Sequence, residues 1–120
     1  MEKKILIFSK LNKVKISPYK VRLIVNLIKK ENLLNILNIL KYTNKKASKL
    51  LLKTIESAIY NAKNNFNIDI DNLEIYKIYI DNGPIFKRIL LRAKGKFDKL
   101  LKRTSIINVI LINKNNGTKS

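Results

Sequence analysis

Residues 86–105 read FKRILLRAKGKFDKLLKRTS. Lys87, Arg88, Arg92, Lys94, Lys96, Lys99, Lys102 and Arg103 stand there against a single acid, Asp98. Side chains of this kind hold phosphate. A row of cations laid along a polyphosphate chain releases condensed counterions, which gives strong, salt-dependent and largely sequence-independent affinity. Arg92, Lys94 and Lys96 alternate with Ala93 and Gly95, so in an extended chain the three cations share one face. The small residues between them let a phosphate backbone approach. Lys99, Lys102 and Arg103 are spaced i, i+3, i+4 and share a face if that arm is helical. Phe86 and Phe97 offer rings for stacking on unpaired bases, whereas Leu100 and Leu101 suit a core or a protein contact. A second basic set comprises Lys10, Lys13, Lys15, Lys20 and Arg22. It covers a first strand and the start of a helix whose free amides favour an anion. Lys45, Lys46 and Lys49 read as solvent-facing.

Catalytic chemistry finds little to work with. The chain has no His and no Cys, which excludes histidine acid–base catalysis, thiol chemistry, disulfides and Cys/His zinc sites. Ser17 and Ser57 therefore have no base to form a triad. Three glycines in all leave no glycine-rich phosphate loop. Asp69 and Asp71, two apart, suggest a metal or acid–base pair, but a polar loop ahead of a strand accounts for them better. Glu56 stands alone as a surface residue, and Asp81 is expected to order a turn by bonding nearby amides. The expectation is a protein that is not an enzyme and needs no cofactor.

Composition points the same way. Lys and Arg number 26 against 8 Asp and Glu, a net charge of +18 with a pI near 10.2. Such a charge opposes compaction by self-repulsion, and a nucleic acid is the commonest polyanion that relieves it. At 46% hydrophobic residues the chain can still bury a core. The apolar patch Ile5–Phe8 is too short for a signal peptide, and no run approaches the ~20 apolar residues of a membrane span. Heavy use of Lys, Asn and Ile suggests an AT-rich genome, bacterial or organellar.

These residues need elements to position them. Partial alternation over 5–16 predicts a strand with one wet face. Ser17-Pro18 predicts a helix start with the Ser hydroxyl as cap, followed by Val21, Ile24, Val25 and Ile28 at helical spacing. Leu33, Ile36, Leu37 and Leu40 predict a second helix. A third, capped by Asn44, runs through Ala47, Leu51, Ile55, Ala58, Ile59 and Ala62 and stops at Asn64-Asn65. Residues 66–72 read as a polar connection and 73–80 as a strand, whose imperfect alternation suggests burial on both faces over part of its length. Asp81-Asn82-Gly83-Pro84 is turn or bulge chemistry. Residues 106–112 form a buried strand, most simply antiparallel to 73–80. The basic segment is then the far end of a long hairpin, 83–105, reversing at Gly95, each arm reaching ~30 Å. We expect one domain over residues 1–112, including this hairpin, and a disordered tail at 113–120.

The motifs at 15–28 (KISPYKVRLIVNLI), 39–65, 69–73 (DIDNL) and 80–105, with the closing apolar strand, together resemble the universal large-subunit ribosomal protein family twenty-two. The S-P-x-K-V-R and G-P-x-x-K-R … R-A-x-G-x … K-R-T-S elements are the specific part. The resemblance implies an α+β fold, three helices packed on a three-stranded antiparallel sheet, with a long protruding basic hairpin. It implies binding to large-subunit ribosomal RNA beside neighbouring ribosomal proteins, support of subunit assembly, and a hairpin tip near the nascent peptide in the exit tunnel. Carried over by motif, the RNA contacts are Ser17, Lys20, Arg22, Lys87, Arg88, Arg92, Lys94, Lys96, Lys99, Lys102, Arg103 and Thr104. Ile89-Leu90-Leu91 departs from the basic, proline-containing stretch usual in the family. Lys94, Lys96 and Lys99 replace customary arginines and forgo the two-pronged phosphate contact. The rival readings are a free-standing nucleic-acid-binding protein and a membrane-surface binder. The first would place the charge on a recognition helix; the second needs basic residues opposite an apolar helical face, which 96–103 fits weakly.

Overall fold

The computed structural model describes residues 4–91 and 97–114. The side chains of Lys13 and of residues 85–102 lie outside that description, as do Arg92, Lys94, Gly95 and Lys96 altogether. The expectations for Phe86, Phe97, Leu100 and Leu101, for the Gly95 reversal and for the tail beyond residue 114 fall there too.

The expected α+β architecture is present. Strand β1 (Leu6–Val14) leads to helices α1 (Pro18–Ile28), α2 (Leu33–Tyr42) and α3 (Lys46–Phe66), then strands β2 (Leu73–Leu91) and β3 (Phe97–Asn113). The sheet order is β1-β3-β2, with both pairings antiparallel. Central β3 therefore carries the near-continuous apolar run, and Ile107, Val109 and Leu111 on its helix side are fully buried.

The helices pack on that one face. The i, i+3, i+4, i+7 residues of α1, Val21, Ile24, Val25 and Ile28, are all buried, with Leu33, Ile36 and Leu40 of α2. At about 1.5 Å per residue the 21-residue α3 spans ~30 Å. Leu51, Ile55, Ala58 and Ala62 have no exposed surface. Full burial of a residue such as Leu51 or Ile55 contributes about 2–3 kcal/mol, and the alanines let α3 lie close to its neighbours.

The helix ends differ from expectation. Ser17 is the N-cap of α1 in extended conformation, but its hydroxyl makes no cap bond; its carbonyl accepts from the amides of Lys20 and Val21. Asn32 caps α2, accepting from the Asn35 amide at 2.9 Å. Helix α3 starts one residue later than the Asn44 cap implied, at Lys45, without a side-chain cap. It runs past Asn64-Asn65 to Asn67, which turns left-handed at φ 54°. The Asn67 amide then closes on the Lys63 carbonyl and the Ile68 amide on the Ala62 carbonyl; the first is the five-residue closure that accompanies a left-handed residue at many helix ends.

Three β-bulges shape the sheet. The first lies between Leu11 and Val14. The second, at Tyr76 between Ile75 and Lys77, corrects the reading of β2 as buried on both faces. One extra residue there shifts the phase of alternation, so Leu73, Ile75, Ile78 and Ile80 all meet the core despite mixed parity. The third bulge holds Gly83-Pro84, between Asn82 and Ile85. Pro84 has no amide to lend a ladder, and bulges accommodate that loss. Of the two readings of this tetrapeptide, turn or bulge, the bulge holds, and β2 continues through it to Leu91, opposite Phe97.

The long β2–β3 pairing makes the chain elongated, 71 × 25 × 20 Å, with a radius of gyration of 18.2 Å against about 14 Å for a compact chain of this length. The return arm is strand from Phe97 onward, so the helical face imagined for Lys99, Lys102 and Arg103 does not form. Residues 113 and 114, assigned to the tail, belong to the body: Asn113 ends β3, and the Lys114 amide donates to the Asn72 carbonyl at 2.7 Å.

Candidate nucleic-acid interface

Pro18 opens α1 directly after β1, and the Thr43–Lys45 link opens α3 beside it. The two helix N-termini and the start of the hairpin together frame an open groove of ≈ 900 Å³. Its charged lining is Lys15, Lys20, Lys45, Lys46 and Arg103, with no acid among the lining residues. Ser17 lies at its rim, and Ile16, Leu23, Ile24, Leu27 and Ala47 supply an apolar wall.

The electrostatics are one-sided. Ser17 and Lys45, the N-caps of α1 and α3, form no side-chain cap, and neither helix has an acid in its first turn. The first-turn amides of α3 therefore lack an intrahelical partner, and the positive end of the helix dipole adds to the cations around it. Like charges held together repel, and the arrangement gains most when a polyanion threads them. Arg103 belongs to both parts of the surface: it sits on β3 opposite Ile85 at the root of the hairpin, is exposed, and lines the groove.

The residues nominated from sequence separate into four groups. Lys15, Ser17, Lys20 and Arg103 converge on the groove. Arg22 turns elsewhere; its Nη2 donates to the Ile80 carbonyl at 2.6 Å and ties α1 to β2. Thr104 is 2% exposed, and its hydroxyl donates to the Pro84 carbonyl at 2.5 Å across the bulge, which gives it a structural role at the hairpin root. Lys87, Arg88, Lys99 and Lys102 lie on the paired arms of the hairpin, and Lys13 on β1; their side chains, with Arg92, Lys94 and Lys96, fall outside the described residues.

Lys45 and Lys46 were missed. They read as plain solvent-facing lysines, and they are exposed, but the fold lays them beside Lys15 and Lys20. Nothing local marks this, because the pairing spans about thirty residues of chain. Asp69 forms only an exposed contact with Lys63 at 3.9 Å, and among the described residues no cluster of acids could hold a metal. Asp81 accepts from the side-chain amide of Asn108 at 3.2 Å rather than from turn amides.

Comparison with known proteins agrees with the motifs. The family model for ribosomal protein L22p/L17e matches residues 9–112. The chain is 52% identical over 100 residues to a large ribosomal subunit protein uL22 from Blochmanniella pennsylvanica (strain BPEN), covering 83% of this chain and 92% of that protein.

Proposed function

Because the chain belongs to the ribosomal protein L22p/L17e family, we propose that it is a structural component of the large ribosomal subunit. It binds large-subunit ribosomal RNA, supports assembly of the subunit and extends its basic hairpin toward the nascent-peptide exit tunnel. The function is one of binding rather than catalysis. Ribosomal RNA is the main partner, with neighbouring ribosomal proteins around the body and the nascent peptide near the hairpin tip. The setting is a bacterial or organellar ribosome.

The observation that carries this reading is Arg103. One cation joins an acid-free groove, built from two helix N-termini, to an arm bearing Lys87, Arg88, Lys99 and Lys102. The groove and the arm meet at Arg103, which supports reading them together as one surface for a phosphate backbone, and the 71 Å long axis allows that surface to extend well beyond the body. Phosphate contacts of this kind position a protein on RNA without reading sequence.

The test is sedimentation of the tagged chain through a sucrose gradient at high salt. Co-migration with large subunits is expected, and a cryo-EM map of that fraction should show the groove and hairpin against RNA. A chain that stays at the top of the gradient, or a hairpin touching no nucleotide, overturns the proposal.

A further inference from the structure

The helices cover one face of the sheet and leave the other open. The register fixes what lies on that open face, because residues directly opposite in an antiparallel pair point to the same side. One row reads Leu6, Ile112, Glu74; the next Phe8, Ile110, Lys77; the next Lys10, Asn108, Tyr79. Ile110 and Ile112 are each only 8% exposed, yet they lie outside the helix-facing core cluster. Phe8 is 62% exposed and Tyr79 37%. Among the described residues, no element packs over them.

We infer that this face is a second RNA-binding surface, a stacking platform on which Phe8 and Tyr79 take unpaired bases while Lys10 and Lys77 meet their phosphates. The inference rests on reading the chain as an RNA-binding protein and concerns a surface separate from the groove and the hairpin.

The arrangement of side chains favours RNA over a protein partner. The two rings are interleaved with lysines, and lysine is depleted from the apolar centres of protein interfaces. The Lys77 ammonium lies over the Tyr79 ring, 5.2 Å from its centroid; a base stacking on that ring displaces this cation–π contact and leaves the flexible lysine free to meet the nucleotide's phosphate. Of the two acids on the face, Asp81 is engaged by Asn108 and Glu74 sits in the row beyond Phe8. Open β-sheets with exposed rings bind single-stranded RNA in this way, by stacking and with little demand for sequence.

The experiment compares the full chain with Phe8→Leu, Tyr79→Leu and the conservative Phe8→Tyr and Tyr79→Phe. The probes are a short oligouridylate, its abasic counterpart of equal charge and a structured large-subunit RNA transcript. Stacking predicts that the oligouridylate binds more tightly than the abasic chain. Each leucine variant should lose about tenfold of that affinity at an unchanged salt slope, and the aromatic variants should keep it. All substitutions are at exposed positions, and circular dichroism checks the fold. Equal affinity for the base-bearing and abasic chains overturns the inference. So do leucine variants that bind oligouridylate normally, including any that lose self-association instead, which would mark a protein contact. If the transcript still binds in these cases, the proposed function survives; if the unmodified chain binds no RNA at all, both readings fail.

Discussion

The hydroxyl of Thr104 donates a 2.5 Å hydrogen bond to the carbonyl of Pro84, twenty residues earlier on the facing strand. The bond crosses the bulge from which the hairpin springs. Gly83 sits against the same hydroxyl, and a Cβ added there would collide with Thr104 Oγ1 and lie 3.2 Å from its carbonyl carbon. Gly83→Ala should therefore displace the hairpin root, destabilise the fold by about 1–3 kcal/mol and weaken RNA binding. Thr104→Ala alone should cost about 1 kcal/mol for the lost bond. In the double variant the collision with the hydroxyl is relieved, so denaturant melts should give a combined loss smaller than the sum. Strict additivity would show that the two residues do not meet.

Arg22 serves the body before it serves RNA. Its 2.6 Å bond to the Ile80 carbonyl joins α1 to β2. Urea unfolding of Arg22→Ala should show a loss of about 1 kcal/mol, discounted from a buried charged bond because the side chain is exposed. Lys20→Ala, which has no such bond among those described, should unfold like the parent. Equal stability of the two variants would remove the structural role assigned to Arg22.

The groove lysines should register in the salt dependence. Replacing both Lys45 and Lys46 with Ala should weaken binding to large-subunit RNA and lower the slope of log K against log salt by roughly 1.5, two phosphate contacts' worth. Lys63→Ala, at the other end of α3 and beside Asp69, should leave the slope nearly unchanged. Filter binding across a salt series measures both. A slope indifferent to the paired substitution would take Lys45 and Lys46 out of the interface.

Two buried hydroxyls, Ser48 Oγ on α3 and Ser105 Oγ on β3, have no hydrogen-bond partner and no exposed surface. A buried polar atom without a partner costs about 1–3 kcal/mol. Ser48→Ala and Ser105→Ala should consequently be neutral or stabilising by up to about 1 kcal/mol in thermal melts, with Ser48→Ala also gaining helix propensity. Marked destabilisation of either variant would reveal a bond that the folded chain makes in solution.

Features that depend on near neighbours and on composition are legible in the order of residues alone. The 3.6-residue spacing of Val21, Ile24, Val25 and Ile28 specifies α1, because only a helix brings those four to one side, and Pro18 sets where it begins. The run at 106–112 announces a buried strand, since Ile, Val and Leu fill it and Asn108 alone interrupts them. The charge of +18 points to a polyanion partner, and the lack of His and Cys removes imidazole and thiol chemistry, because those properties belong to the residues in any fold. Other features depend on distant parts of the chain meeting and emerge only in the folded molecule. The irregular pattern of β2 looked like burial on both faces until its register against β3 exposed a bulge at Tyr76. Thr104 matched an RNA-binding motif, but the facing strand claims its hydroxyl. Lys45 and Lys46 carry no local mark of function and gain one only where α3 begins beside α1. Phe8 and Tyr79 are 71 residues apart in the chain and share a face only through β3, which hydrogen-bonds to both their strands. Periodicity encodes which way a side chain faces within its own element. Which elements become neighbours follows from burying all the apolar faces at once, and that is a property of the whole chain.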